Sequence, residues 1–260
     1  MKKGVALVVV LAFVMSLFVL PGMAFAAKET QNKSNAPHSP VDLNNLDESK
    51  KVKINNKDVP FELPKVRVES EKGKTKLKEQ EYFLLYKGEL DDGGDYYLIE
   101  INSVVETVDD YSVLSGGTKA KTVTKNYQNL VSGSQTTWIE VTGTHLDHYV
   151  RILRMQYQWQ RSNPRYNLQN AKAVAQMWGY NVNGQSRQYR WDGPVSPSFN
   201  AQGFTQTFNS YNPMQGWNPI KTVGPMCFTS TMADIYDGNT KLVDRVNFQC
   251  FVDVHNWPIW

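Results

Sequence analysis

Tyr149–Gln160 reads Tyr-Val-Arg-Ile-Leu-Arg-Met-Gln-Tyr-Gln-Trp-Gln. Leu153, Met155, Tyr157 and Trp159 alternate with Arg154, Gln156, Gln158 and Gln160. A period of two puts an apolar face against a polar one, the pattern of a long half-buried antiparallel strand. A helix would stack Leu153 with Tyr157 but scatter Met155 and Trp159. The strand reading sets the fold class, because the flanking segments repeat it.

Tyr82–Leu90 and Tyr96–Val108 are rich in aromatic and β-branched residues and flank Asp91-Asp92-Gly93-Gly94-Asp95, a hairpin-type loop. Its three aspartates invite a calcium reading, but they lack the spacing and distal Glu of an EF-hand, so a solvated turn is favoured. Ser115-Gly116-Gly117 is a second break, Lys119–Val131 alternates again, and Ser132-Gly133-Ser134 reads as a turn before a strand at Thr136–Thr142. Ser162-Asn163-Pro164 turns the chain. In Asn167–Trp178, Ala171, Ala173 and Ala175 favour a helix, whereas alternate Val174, Trp178, Tyr180 and Val182 favour a strand. Asn183-Gly184, a strong hairpin signal before Arg187–Trp191, tips the balance to strand. A strand around Phe204–Phe208 interrupts the loop-rich, Pro-containing Asp192–Pro225. Met226–Tyr236, Asp237-Gly238 and Leu242–Val254 read as a closing hairpin. Pro60 and Pro64 confine the short β-like pieces of Val52–Val68 to sheet edges, and Ser70–Glu81, dense in Lys and Glu, reads as a solvated connection. The expected fold is all-β, an antiparallel β-sandwich or related barrel, in one domain over residues 52–260.

The first residues carry an address. Lys2 and Lys3 precede an apolar Val5–Leu20, broken by Pro21-Gly22, and Ala24-Phe25-Ala26 fits the small-x-small cleavage rule. Residues 1–26 are expected to be a secretory signal peptide; about 16 apolar residues are few for a span that needs about 20. With no second apolar run, no membrane association is expected after cleavage. Residues 27–51, polar and aperiodic, read as a disordered arm or pro-segment. In an oxidising compartment Cys227 and Cys250, the only cysteines, are expected to pair, adding about 3 kcal/mol in the chain-entropy view. A reactive thiol or a metal site with His255 is the alternative.

Losing Lys2 and Lys3 takes the formal charge from +3 to +1, so distribution matters more than total. Glu29–Asp110 holds 18 of 25 acidic residues, whereas Arg151–Ile220 sets Asp192 alone against Arg151, Arg154, Arg161, Arg165, Lys172, Arg187 and Arg190. That asymmetry suggests an anionic partner, or an acidic surface of the same protein. All seven Trp lie at or beyond Trp138. Trp138, Trp159 and Trp178 fit strands and are expected in the core. Trp191 and Trp217, in turn-rich segments, are ligand candidates. With Arg187 and Arg190, and Arg154 and Arg161 from the central strand, they form the expected binding set, rings for a sugar face and guanidiniums for its oxygens.

At Lys121–Tyr149, Thr122-Val123-Thr124-Lys125, Ser132-Gly133, Trp138 and Val141-Thr142-Gly143-Thr144 resemble a pattern in poorly characterised secreted β proteins of Gram-positive bacteria, with His145 where Phe or Tyr is expected. The resemblance covers about thirty residues and implies a secreted β module with no assigned activity.

His145-Leu146-Asp147-His148 is the most suggestive chemical cluster, yet a strand would turn His148 away from His145 and Asp147, and zinc wants three or four ligands. A polar hairpin tip is the plainer reading, ahead of a metal site or acid–base chemistry. No Gly-x-Ser-x-Gly elbow, phosphate loop or dinucleotide fingerprint occurs; Glu100, Glu106, Glu140 and Asp192 are the carboxylates a glycosidase could draw on. The expected function is a secreted, non-catalytic binding protein for extracellular or cell-wall glycan or anionic polymer, with no cofactor, no metal and no nucleic-acid partner. The alternatives are a self-assembling surface protein and a hydrolase with an unrecognised site.

Overall fold

Trp159 is fully buried, and its ring lies over Gly133, its register partner on the adjacent strand. A Cβ on Gly133 would meet the indole at 2.8 Å. Gly133 therefore does not turn the chain; it makes room inside a strand. The expected turn at Ser132–Ser134 is replaced by an unbroken strand from Thr122 to Thr144.

A computed structural model of the chain describes residues 43, 50–91, 93–115, 122–144, 147–193, 205–208, 216–222, 226–238 and 240–252, all within the unit Ser39–Trp260. The expected signal peptide lies outside the described residues, as do 27–42 and 44–49 of the expected arm. Twelve strands are described: β1 (Val52–Lys53), β2 (Lys65–Ser70), β3 (Thr75–Glu89), β4 (Asp95–Ser115), β5 (Thr122–Thr144), β6 (Asp147–Arg161), β7 (Tyr166–Tyr180), β8 (Ser186–Asp192), β9 (Thr205–Phe208), β10 (Lys221–Thr222), β11 (Phe228–Asp237) and β12 (Lys241–Phe251). Every pairing is antiparallel. The first sheet runs β1-β3-β4-β5-β6-β9 and the second β10-β7-β11-β12-β2, with β8 on the other side of β7. These are two open sheets, which decides for the sandwich over the closed barrel. The prolines act as expected: β1 and β2, either side of Pro60 and Pro64, both lie at sheet edges.

Hairpins fall where Gly supplies positive φ: Gly93 between β3 and β4, Gly184 between β7 and β8, Gly238 between β11 and β12. The Lys- and Glu-rich connection is shorter than expected, because β3 begins at Thr75. The chain passes from the first sheet to the second at residues 162–165. There Arg161, 3% exposed, donates from Nη1 to the carbonyls of Pro164 and Tyr166 and to Asn167 Oδ1.

The core lies between the sheets. Trp159 meets Phe248 edge-on at 6.0 Å, and Tyr97, Ile99, Ile139, Val141, Ile152, Met155 and Tyr157 face Ala171, Ala173, Ala175, Met177, Ile235 and Val246 across the same cluster. A polar bridge crosses it: Gln135 Nε2 donates to Thr229 Oγ1 at 2.7 Å, and Thr231 Oγ1 donates back to Gln135 Oε1 at 2.7 Å. Both ends of the amide are thus satisfied, so its burial carries no orphaned group.

The expected disulfide is not formed: Cys227 and Cys250 are both buried and unbonded. Register gives the reason. Cys250 pairs with Thr229, while the Cys227 carbonyl accepts from Val252 N–H. The cysteines are thus diagonal neighbours, whose Cα atoms sit about 7–8 Å apart, beyond easy reach of a disulfide. The Cys227 thiol instead donates to the Trp178 carbonyl and accepts from its N–H, each at 3.2 Å. Burial pushes the Cys250 thiol up to about 12, so thiolate chemistry is suppressed. A thiol-specific reagent should therefore leave the native protein unmodified at pH 8 and label two cysteines once it is unfolded without reductant. Absence of label after unfolding would restore the disulfide.

Candidate functional site

The outer face of the second sheet is built by period-two geometry on five adjacent strands, β8-β7-β11-β12-β2. Trp178 pairs with Gln188. Beside them runs the row Arg190, Gln176, Phe228, Phe251, Lys65, and then the row Asp192, Val174, Ser230, Gln249, Arg67. Direct partners on one row point to the same face. Four strand spacings make this face about 19 Å wide. Val174, Gln176 and Ser230 are buried within it, so its exposed part is the Trp178 end and its margins.

Trp178 is 38% exposed and Tyr180, next on the same face, 49%. The Phe228 and Phe251 rings stand 6.2 Å apart at 59°. Trp178 is the diagonal neighbour of Phe228, so three aromatic residues step across β7, β11 and β12. Two amides adjoin them. Gln188 is exposed, whereas Gln176 is buried, its Nε2 donating to the Met226 carbonyl at 3.4 Å and its Oε1 accepting from Arg190 Nη1 at 2.8 Å. Arg190 closes a two-armed bridge on Asp192, 2.8 Å on each arm. The guanidinium holds the Asp192 carboxyl below its ordinary range, and the carboxylate raises Arg190 in turn. Rings give apolar faces, amides give both donors and acceptors, and the fork fixes Arg190 in place.

The structure distributes the expected binding set rather than gathering it. Arg190 lies on this outer face. Arg187 follows the other parity of β8, with Tyr189 and Trp191, and donates to Gln185 Oε1 at 2.8 Å. Trp191 is half-buried against the core, and Trp217 is 8% exposed, stacked on Tyr189 at 5.3 Å and 20°. Arg161 is the buried brace already described. Arg154 lies on the outer face of the first sheet, 5.0 Å over the Trp138 ring. Trp178, expected in the core, is instead the exposed ring, while the narrow stripe Ala171, Ala173, Ala175 faces inward.

Three of the seven basic residues of Arg151–Ile220 are answered by carboxylates within the fold. Arg151 bonds Glu140 at 2.7 Å, Arg165 pairs with Asp237, and Arg190 pairs with Asp192. The polar outer face offers rings and amides more than free positive charge.

The carboxylates of a hydrolase reading are also engaged. Glu100 and Glu140, 3% and 1% exposed, sit on β4 and β5 as diagonal neighbours, Glu140 opposite Leu98 and Glu100 opposite Trp138. Glu100 takes Lys51 at 3.3 Å and Asn102 at 2.8 Å; Glu106 pairs with Lys78. His145 lies outside the described residues, Asp147 pairs by backbone with Thr144, and His148 is buried edge-on to Phe61 at 5.3 Å. Among the described residues no group of three metal-ligating side chains assembles.

A scan against models of protein families found no match, and neither did searches of curated proteins and of solved structures.

Proposed function

We propose that this chain is a secreted, non-catalytic binding module for an extracellular or cell-wall glycan, which lies across the outer face of the second sheet. The observation that carries the reading is exposed Trp178 beside Gln188 and Arg190, with Phe228 and Phe251 on the same face and buried Gln176 bracing Arg190 from below. Aromatic faces take the C–H side of a pyranose while the exposed Gln188 amide and the fixed guanidinium meet its hydroxyls. The amino-terminal address and the resemblance to secreted β proteins support the compartment, and the reading needs no cofactor. Because the bases of this face have acidic partners, a neutral or mixed-charge glycan suits it better than a polyanion. Arg190 is the exception that could be released, since Asp192 competes with any anionic ligand for its fork.

Retention on purified cell walls, with and without their anionic polymer and across a salt series, tests this. Retention should survive both salt and polymer removal, and Trp178→Ala should weaken it at least tenfold, about 1.4 kcal/mol. Asp192→Asn should add a salt-sensitive component on walls that keep the polymer. Retention indifferent to Trp178→Ala, or none on any wall fraction, would remove the proposal.

A further inference from the structure

Strands β4 and β5 outrun their sheet. β3 pairs with β4 only as far as Thr107, and β6 pairs with β5 only from Val131. Beyond the bulge at Leu130, Val108–Ser115 and Thr122–Asn129 pair with each other, and the Val108 N–H bond to the Lys74 carbonyl at 3.1 Å is the last that either half makes to another segment among the described residues. Eight pairs extend this two-stranded ribbon about 24 Å past the sheet. A ribbon of two strands is marginal by itself in water, and each outer edge offers a row of backbone donors and acceptors.

The other sheet edges are blunted by shortness or by charge. β1 and β10 have two residues each and β9 four. β3, covered by β1 only at Phe83 and Leu84, carries Lys76, Lys78, Glu79 and Glu81 along its open part, and β8 carries Arg187, Arg190 and Asp192. β2 exposes Lys65, Arg67 and Glu69 on alternate positions, with Arg67 and Glu69 paired at 3.6 Å. The ribbon has no proline and a divided charge: Asp109 and Asp110 are the charged residues of its β4 half, Lys125 that of its β5 half. Like edges would therefore repel and unlike edges attract.

We propose that the ribbon is a self-association surface on which the β5 edge of one copy receives the β4 edge of a second. This joint repeats the antiparallel order already present inside each ribbon. Because it is head-to-tail, every added copy presents a fresh edge, and growth continues to a ring or filament instead of stopping at a dimer.

Sedimentation velocity on the chain, in the processed form its host delivers, tests this over a concentration series at low and high salt. Species larger than a dimer should grow with concentration and shrink with salt. Asp109→Lys with Asp110→Lys should leave a monomer, and adding Lys125→Asp to that pair should restore association by exchanging the two charges. Near-ultraviolet circular dichroism identical to wild type would show that the sandwich is intact in both variants. A monomer at all concentrations, association that stops at a dimer, or association unaffected by the double variant would overturn the proposal. Wall retention through Trp178 sits on the other sheet and should be unchanged in monomeric variants, so the two proposals can fail separately.

Discussion

Trp159→Ala should lower the stability of the fold by about 3–5 kcal/mol, the range for emptying a large aromatic site in a core. The side chain is fully buried, lies over Gly133 and meets Phe248 at 6.0 Å. Its ring partner on the second sheet, Phe248, is itself fully buried and held in the core, so the surroundings relax only partly into the space. The indole N–H has no partner among the described residues, so Trp159→Phe, which deletes that orphaned donor, should cost much less. Gly133→Ala supplies the cross-check. In the wild-type protein its methyl would stand 2.8 Å from the ring and destabilise the strand; in the Trp159→Ala background that clash is gone and the methyl fills part of the void. Urea unfolding of the four proteins reads the coupling. Strict additivity of Gly133→Ala and Trp159→Ala would mean that the ring and the glycine do not share a site.

The same pair shows how far the sequence could be read. Alternation along Met155, Tyr157 and Trp159 was enough for a buried strand, because a period of two survives in any antiparallel sheet. The hairpins were equally plain wherever a glycine followed Asp or Asn. Gly133 misled, since glycine in a turn and glycine under a cross-strand ring look alike until the partner strand is known. Face assignment failed for a related reason. Trp178 reads as a core residue of β7 because it is larger than the alanines before it; Val174 shares its face, and is buried there. Core volume is shared between sheets, and the bulk of Trp159, Tyr157 and Met155 on one side requires small residues on the other. Bulges did the rest. The register shift between Trp138 and Ile139 leaves Leu153 as the extra residue of β6, so the core face passes from Met155 to Ile152 and Val150. Asn170, at φ 53°, marks a similar shift in β7. One inserted residue reverses every later side chain, which is why the exposed aromatic row was not legible in advance. Cysteine pairing depended on register in the same way: two residues of offset separate a bridge from two free thiols.

Arg151→Met should be as damaging as the loss of Trp159, for an electrostatic reason. Arg151 and Glu140 are register partners on β6 and β5, and their side chains are 10% and 2% exposed. Nη2 donates to Glu140 Oε2 at 2.7 Å, and Nη1 donates to the Trp217 carbonyl at 3.3 Å. Removing the guanidinium leaves the Glu140 carboxylate in a space too dry to solvate it, with a cost of about 3–5 kcal/mol. The pair itself contributes far less than that, because desolvating two ions offsets most of their attraction. Arg151 Nε is also buried without a partner among the described residues, a further cost that Met would not carry. The double variant Glu140→Leu with Arg151→Met should therefore return to within about 1 kcal/mol of wild type, or exceed it. Unfolding the wild type, both single variants and the double variant closes the cycle. A double variant as unstable as Arg151→Met would mean that the ion pair stabilises this face of the first sheet in a way hydrophobic packing cannot replace. Recovery would instead mark Glu140 and Arg151 as replaceable structural partners, and would leave Glu140 with no demonstrated need for its charge. The hydrolase alternative would then lose one of the two carboxylates that share this face.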